Sequence, residues 1–264
     1  MSIMHLRFVL VAMCLAGVPF QAEATAIAHG DLDFKNLAIT TGTGTTFSLD
    51  GPWTLEAFAH ADNSLGQVDD QFNTDISPST IGASAAVTWA SAAGAASAPN
   101  DPPDLAITGA ASSDVNVPGC GPAAAFSNGR GTLFNSFTLT SSGPSAAVTF
   151  AIDISGVLKT VTDLCGIVAA SEVIFSLEVD GTPVLFHDDL LSIGPSDAAT
   201  KSIATHLTNT VTLDTGVSHF LLLEADSESR GQVVVREPPA GVLLVAGLAA
   251  LAAARRRTVR LGTK

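Results

Sequence analysis

Apolar residues recur at every second position through the middle of this chain, and no helical periodicity stands against them. Residues 146–154 place Val148, Phe150, Ile152 and Ile154 on one face, the alternation of a half-buried strand. Residues 173–179 repeat it through Val173, Phe175, Leu177 and Val179, and residues 132–140 read the same way. Asp180-Gly181 separates the second of these runs from another apolar stretch at 183–187. A two-residue Asp-Gly link predicts a type I′ hairpin turn, whose two central residues both need positive φ. Further strands are expected at 32–39, 45–49, 53–59, 85–90, 210–213 and 218–225, the last two joined by residues 214–217. Residues 232–235 read as a final strand or as the start of a stalk. Short strands punctuated by Gly, Pro, Asp and Ser, with no alternation of strand and helix, predict an all-β fold. The expected architecture is an antiparallel, jelly-roll-like β-sandwich over residues 27–234.

Two stretches interrupt the rhythm. Residues 91–104 are small, polar and proline-punctuated, and residues 112–130 are rich in Gly and Pro; both read as long surface loops. Long loops on a rigid sandwich are where binding usually resides. No internal repeat is visible, which argues against a solenoid or propeller.

Charge changes the picture next. Residues 27–235 carry 18 Asp and 5 Glu against 3 Lys and 2 Arg, a net charge of −18 compared with −13 for the whole chain. So negative a surface argues against nucleic acid and anionic headgroups, and suits solubility and cations. The chain has thirteen Phe, two Trp and no Tyr, an aromatic set that belongs more naturally in a core than on a sugar-stacking platform. Exposure of Trp53 or Trp89 on a sheet face would favour glycan binding, and burial of both a structural role.

The two ends carry the address. His5 and Arg7 precede an apolar run at 8–18, followed by two small-x-small sites, Ala22-Glu23-Ala24 and Ala24-Thr25-Ala26. This is the pattern of a secretory signal peptide, assigned to residues 1–26, with the mature chain starting near Thr25 or Ile27; an uncleaved anchor is the alternative. At the other end, Val235-Arg236-Glu237-Pro238-Pro239 is followed by an uncharged run at 240–254 and then by Arg255, Arg256 and Arg257. Fifteen helical residues span about 22 Å, short of a hydrocarbon core of roughly 30 Å, but snorkelling arginines and local thinning close the gap. The basic end, 255–264, fixes the tail in the cytoplasm and the domain outside. The competing reading is a buried core helix. Once Cys14 leaves with the signal peptide, Cys120 and Cys165 remain, and in an oxidising compartment they are expected to pair. Closing a loop of about 45 residues constrains the unfolded chain by roughly 3–4 kcal/mol. A thiol nucleophile or metal pair is the alternative, with no CxxC or neighbouring His to support it.

Motif, apolar helix and basic end, in that order over residues 235–264, resemble the PEP-CTERM sorting tail that exosortases process. Glu237 and Pro238 match its sorting motif, while Arg236 stands where that motif usually has proline. The segments around 171–180, with Val179-Asp180-Gly181, and 213–225 are also similar to sandwich domains that often precede such tails. The resemblance implies the secretion translocon, signal peptidase and an exosortase-type sorting enzyme as partners, with extracellular polysaccharide as a further one. It implies an inner-membrane-tethered intermediate that ends at the cell surface or in the extracellular matrix.

Catalytic chemistry is thin. Residues 82–86 and 141–145 lack the Gly-x-Ser-x-Gly elbow, and His29, His60, His187, His206 and His219 show no metal-binding spacing. His187 with Asp188 and Asp189 reads as a polar strand end, and His219 as a satisfied strand histidine. Residues 41–46 lack the trailing Gly and Lys of a nucleotide loop. Asp62-Asn63 with Asp69-Asp70, or Asp31 with Asp33, are the candidate Ca²⁺ ligands, though none matches the calcium-loop consensus. The sequence therefore reads as a non-enzymatic, exported structural or interaction protein without a cofactor, Ca²⁺ remaining open. A carbohydrate- or calcium-binding surface module is the alternative.

Overall fold

The computed structural model describes residues 25–234, apart from residues 102, 120, 121, 164 and 165. Its strands are β1 (Thr25–Thr41), β2 (Thr46–Leu49), β3 (Thr54–Asn63), β4 (Val68–Ile76), β5 (Ser79–Val87), β6 (Ala90–Ala98) and β7 (Thr108–Pro118), then β8 (Ala123–Thr140), β9 (Ser145–Thr162), β10 (Gly166–Val179), β11 (Thr182–Ile193), β12 (Ala198–Asp214) and β13 (Ser218–Val233). They form two sheets, a first in the order β12-β9-β1-β7-β6-β5 and a second in the order β11-β10-β13-β8-β3-β4, with β2 also paired to β8. Every pairing is antiparallel. The expected all-β, antiparallel class is what the chain adopts, and the two stacked sheets make a β-sandwich.

The alternation seen in the sequence is what seals it. In β9, Val148, Phe150, Ile152 and Ile154 point inward and are buried, as are Val173, Phe175, Leu177 and Val179 of β10. Phe34 meets Phe175 across the sheets at 5.4 Å, and Phe137 meets Phe150 at 6.3 Å, separations that suit tilted ring pairs. The Asp180-Gly181 turn is as expected: φ is 54° and 74°, and Val179 pairs with Thr182. Residues 214–217, by contrast, do not close a hairpin. They carry the chain from β12 in the first sheet to β13 in the second.

Three sequence expectations need correction. Residues 91–104 are not one surface loop, because β6 runs through Ala98 with inward Ala92, Gly94, Ala96 and Ala98. Residues 112–130 are not a loop either: β7 extends to Pro118 and β8 starts at Ala123. Residues 85–90 are not one strand, since β5 turns into β6 at Thr88-Trp89, where Trp89 has φ 79°. The first two share a physical reason. At this end the sheets approach backbone to backbone, so the inward positions hold Gly, Ala and Ser where large apolar residues would be looked for. A Cβ added to Gly94 would lie 1.9 Å from the Arg130 carbonyl oxygen and 2.5 Å from that of Phe58. At Gly129 it would lie 2.2 Å from the Ala93 oxygen, and at Gly131 2.1 Å from that of Ala95. Between this narrow half and the phenylalanine-filled half runs a buried hydroxyl seam. Ser113 Oγ is 2.7 Å from Ser227 Oγ and 2.9 Å from Ser229 Oγ, and Ser229 Oγ donates to Ser171 Oγ at 3.2 Å.

Candidate functional site

The two outer faces of the sandwich differ in chemistry, and the second sheet's is the more distinctive. Strand register sets its rows. One row reads Asp188, Ile174, Asp226, Arg130, Phe58, Phe72 from β11 to β4; the next reads Leu190, Glu172, Glu228, Asn128, His60, Asp70. Glu224 lies beside Thr132 and Glu56, and Leu222 beside Phe134. Glu172, Glu224, Asp226 and Glu228 thus stand on β10 and β13, and Phe134, Phe58 and Phe72 on β8, β3 and β4. The period of two explains the gathering: Leu222-Leu-Glu-Ala-Asp-Ser-Glu228 sends Glu224, Asp226 and Glu228 out while Leu223, Ala225 and Ser227 are buried.

Electrostatics are lopsided on this face. Arg130 Nε stands 3.8 Å from Glu224 Oε2 and its guanidinium sits 5.5 Å from the Phe58 ring centroid, a cation–π distance. Arg230 pairs with Glu228 at 2.6 Å. Half-buried Asp226 accepts a 2.6 Å hydrogen bond from Asn128 Nδ2. Burial is the main reason its carboxyl is pushed up to about 6; Glu224 and Glu228 add to the rise, and Asn128 and Arg130 oppose it. An array of acceptors beside exposed rings suits a cationic, partly apolar partner. Phe72, Phe186 and Phe220 are exposed at 60%, 58% and 43%, on β4, β11 and β13. The carboxylates occupy mid-strand on an open face, away from the loop ends.

The candidate residues from the sequence fall as follows. Every histidine at 29, 60, 187, 206 and 219 sits beside an aspartate. His29 Nδ1 is 2.8 Å from Asp114, His187 Nε2 3.0 Å from Asp189, and His206 Nδ1 2.7 Å from Asp153. His60 lies between Asp70 at 2.6 Å and Asp62 at 3.3 Å; these bonds, that to Asp70 foremost, raise its pKa against burial. That pairing, together with Asp69 accepting from the Ala86 amide at 2.9 Å, engages Asp62, Asp69 and Asp70, three of the carboxylates considered for Ca²⁺; Asp31 and Asp33 lie apart from them, on β1. Among the described residues no group of three or more His, Cys, Asp or Glu is placed to hold a metal ion. Buried His219 has Asp180 Oδ2 2.7 Å from Nδ1 and the Asp214 carbonyl 2.9 Å from Nε2. Both neighbours are acceptors, an arrangement that favours the doubly protonated ring. Burial pulls its pKa down, yet the Asp214 carbonyl and Asp180 carboxylate outweigh it and the net shift is upward.

Trp53 is fully buried, its Nε1 donating to the Asp104 carbonyl at 2.8 Å, and Trp89 is partly buried against the core. Neither lies on an outer face. Two shallow depressions, of about 640 and 280 Å³, open by the β9–β10 and β12 termini and beside Phe34 and Gly109; neither gathers reactive side chains. Cys120 and Cys165, Glu237 and Pro238, Arg255, Arg256 and Arg257, and the signal peptide up to Ala24 lie outside the described residues. No helix among those described is long and apolar enough to cross a membrane.

Sequence reasoning missed the face because its members come from β3, β4, β8, β10, β11 and β13. Only Glu224, Asp226 and Glu228 gave a local signal, three acids at every second position of an apolar strand. Comparison with protein-family models, with curated proteins and with solved structures finds no match to this chain.

Proposed function

We propose that this chain is an exported surface protein: a jelly-roll-like sandwich carried outward on a removable membrane tail and used for structural or interactive purposes. One observation supports it above the rest. β13 lies between β10 and β8 in the middle of the second sheet and ends at Val233, directly before Val235-Arg236-Glu237-Pro238-Pro239. Every described strand precedes that motif, so a sorting enzyme of the exosortase type acting near Glu237–Pro238 leaves the sandwich whole. The run at 240–254 and Arg255, Arg256 and Arg257 serve as the temporary span and stop. The test is the intact mass of protein recovered from the cell surface and the medium. Loss of the segment beyond the motif is expected; full-length chain in the medium would refute the reading.

The interactive part of the role falls to the outer face of the second sheet. Its acceptors and exposed phenylalanines favour a cationic partner, and burial of Trp53 weighs against a flat sugar platform. The calcium- or carbohydrate-binding alternative predicts a rise in Tm on adding Ca²⁺ or glycan, by linkage. A disulfide between Cys120 and Cys165 fits the same compartment. Thr25 pairs with Pro118 at the end of β7, and Ala26 pairs with Thr162 at the end of β9, so β7 and β9 both end beside the first residues of β1. Reduction adding two hydrogens to the intact mass would establish the bond, and an unchanged mass would exclude it.

A further inference from the structure

Two small-x-small sites compete near the signal peptide, and the sandwich treats their products differently. Cleavage after Ala24 leaves β1 starting at Thr25; cleavage after Ala26 removes its first two residues. Those residues are built into the fold. Ala26 is fully buried in the core and is flanked by Val117 on one side and Thr162 on the other. The Thr25 carbonyl accepts from the Asp163 amide at 3.2 Å, and the Thr25 nitrogen lies 2.6 Å from Asp163 Oδ2. A backbone nitrogen that close to a carboxylate is a weak neutral donor while it remains an amide. As a chain terminus it becomes an ammonium, and the contact becomes a charge-assisted bond.

We infer that the Ala24–Thr25 bond is the processing site and that the new Thr25 ammonium latches β1 to the turn after β9 through Asp163. Hydrolysis adds one water. The Ala24 carbonyl carbon takes the water's oxygen and departs as a carboxylate, and the Thr25 nitrogen, released from that carbon, takes both of the water's protons to become an ammonium. The same Asp163 orders the turn it belongs to, its Oδ1 accepting from Gly166 N at 3.3 Å and its carbonyl from Ser196 N at 3.0 Å. The latch therefore joins the start of β1 to the β9–β10 and β11–β12 turns. A chain beginning at Ile27 would lack the latch, leave Val117 and Thr162 without their β1 neighbour, and open a hole where the Ala26 methyl packs.

This inference rests on the signal-peptide reading, and N-terminal sequencing of exported protein separates the two. Thr25 as first residue supports both. Ile27 overturns the inference and keeps the signal peptide, and a retained Met1 overturns the signal peptide itself. A second measurement probes the latch. Asp163→Asn is made in a chain starting at Thr25 and in one carrying Gly-Ser ahead of Thr25, where the nitrogen stays an amide. The expected drop in Tm is larger in the first background by about 2–4 °C. Equal drops in both backgrounds would mean that no ammonium pair forms.

Discussion

Gly94→Ala is the sharpest test of how the narrow half of the sandwich is built. The added methyl would stand 1.9 Å from the Arg130 oxygen and 2.5 Å from the Phe58 oxygen. Carbon–oxygen contacts normally settle near 3.3 Å, so the sheets must part by more than 1 Å at this point. Both obstacles are backbone, held in the β8–β3 ladder, and no side chain can rotate away. A radial gap of 0.5–1 Å already forfeits a quarter to a half of each neighbouring dispersion contact, and overpacking typically costs about 1–3 kcal/mol even where side chains can yield. A loss of at least about 3 kcal/mol is therefore expected, reduced only slightly by the roughly 0.5–1 kcal/mol that alanine gains over glycine inside a strand. Equilibrium urea unfolding at constant m reads it directly. Gly51→Ala, where nothing lies within 4 Å of the new methyl, is the control and should change stability by less than about 0.5 kcal/mol. If Gly94→Ala also falls within about 1 kcal/mol of the parent, the sheets are not in backbone contact there.

Other outcomes follow from the charges and turns. Asp226 has a folded pKa raised from 3.8 to about 6, so its charge opposes folding above pH 6 and the opposition vanishes below pH 4; Asp226→Asn should raise Tm at pH 7.5, by the equivalent of about 1–3 kcal/mol, and leave it unchanged at pH 3.5. His219 has a raised pKa, so its contribution is fully present below about pH 6.5 and fades as pH climbs through the folded value. His219→Gln should accordingly destabilise by about 2–3 kcal/mol at pH 6 and by less at pH 9, and NMR titration of the imidazole should show its pKa above the ordinary histidine value. Gly181→Val places a β-branched residue at φ 74° and should cost about 1–2 kcal/mol in thermal unfolding; no loss would contradict the turn geometry.

Legibility in the sequence tracked side-chain size. Val148, Phe150 and Ile152, like Phe175 and Leu177, announced their strands because large apolar groups alternate with polar ones. Ala92, Gly94 and Ala96 did not, because a strand whose inward positions are filled by an opposing backbone needs no bulk and looks like a linker. β4 stayed silent for another reason: none of its residues is buried, so Val68-Asp-Asp-Gln-Phe-Asn-Thr-Asp-Ile76 shows no inner face. His29, His60 and His206 looked scattered since Asp114, Asp70 and Asp153 are their cross-strand neighbours, the first pair 85 residues apart, whereas His187 and Asp189 stand two residues apart on one strand. The acidic and aromatic face was half visible in Glu224, Asp226 and Glu228; its phenylalanines arrive from strands whose register only pairing reveals.

The glycine- and alanine-lined half also has a thermal signature. Unfolding it uncovers peptide groups and single methyls in place of long hydrocarbon chains, and polar exposure subtracts from the heat-capacity increment that apolar exposure adds. Calorimetry should therefore return a ΔCp per residue below the usual 12–15 cal/mol/K. The resulting stability curve would be broad and shallow, keeping the domain folded across a wider span of temperatures than its maximum stability alone would suggest.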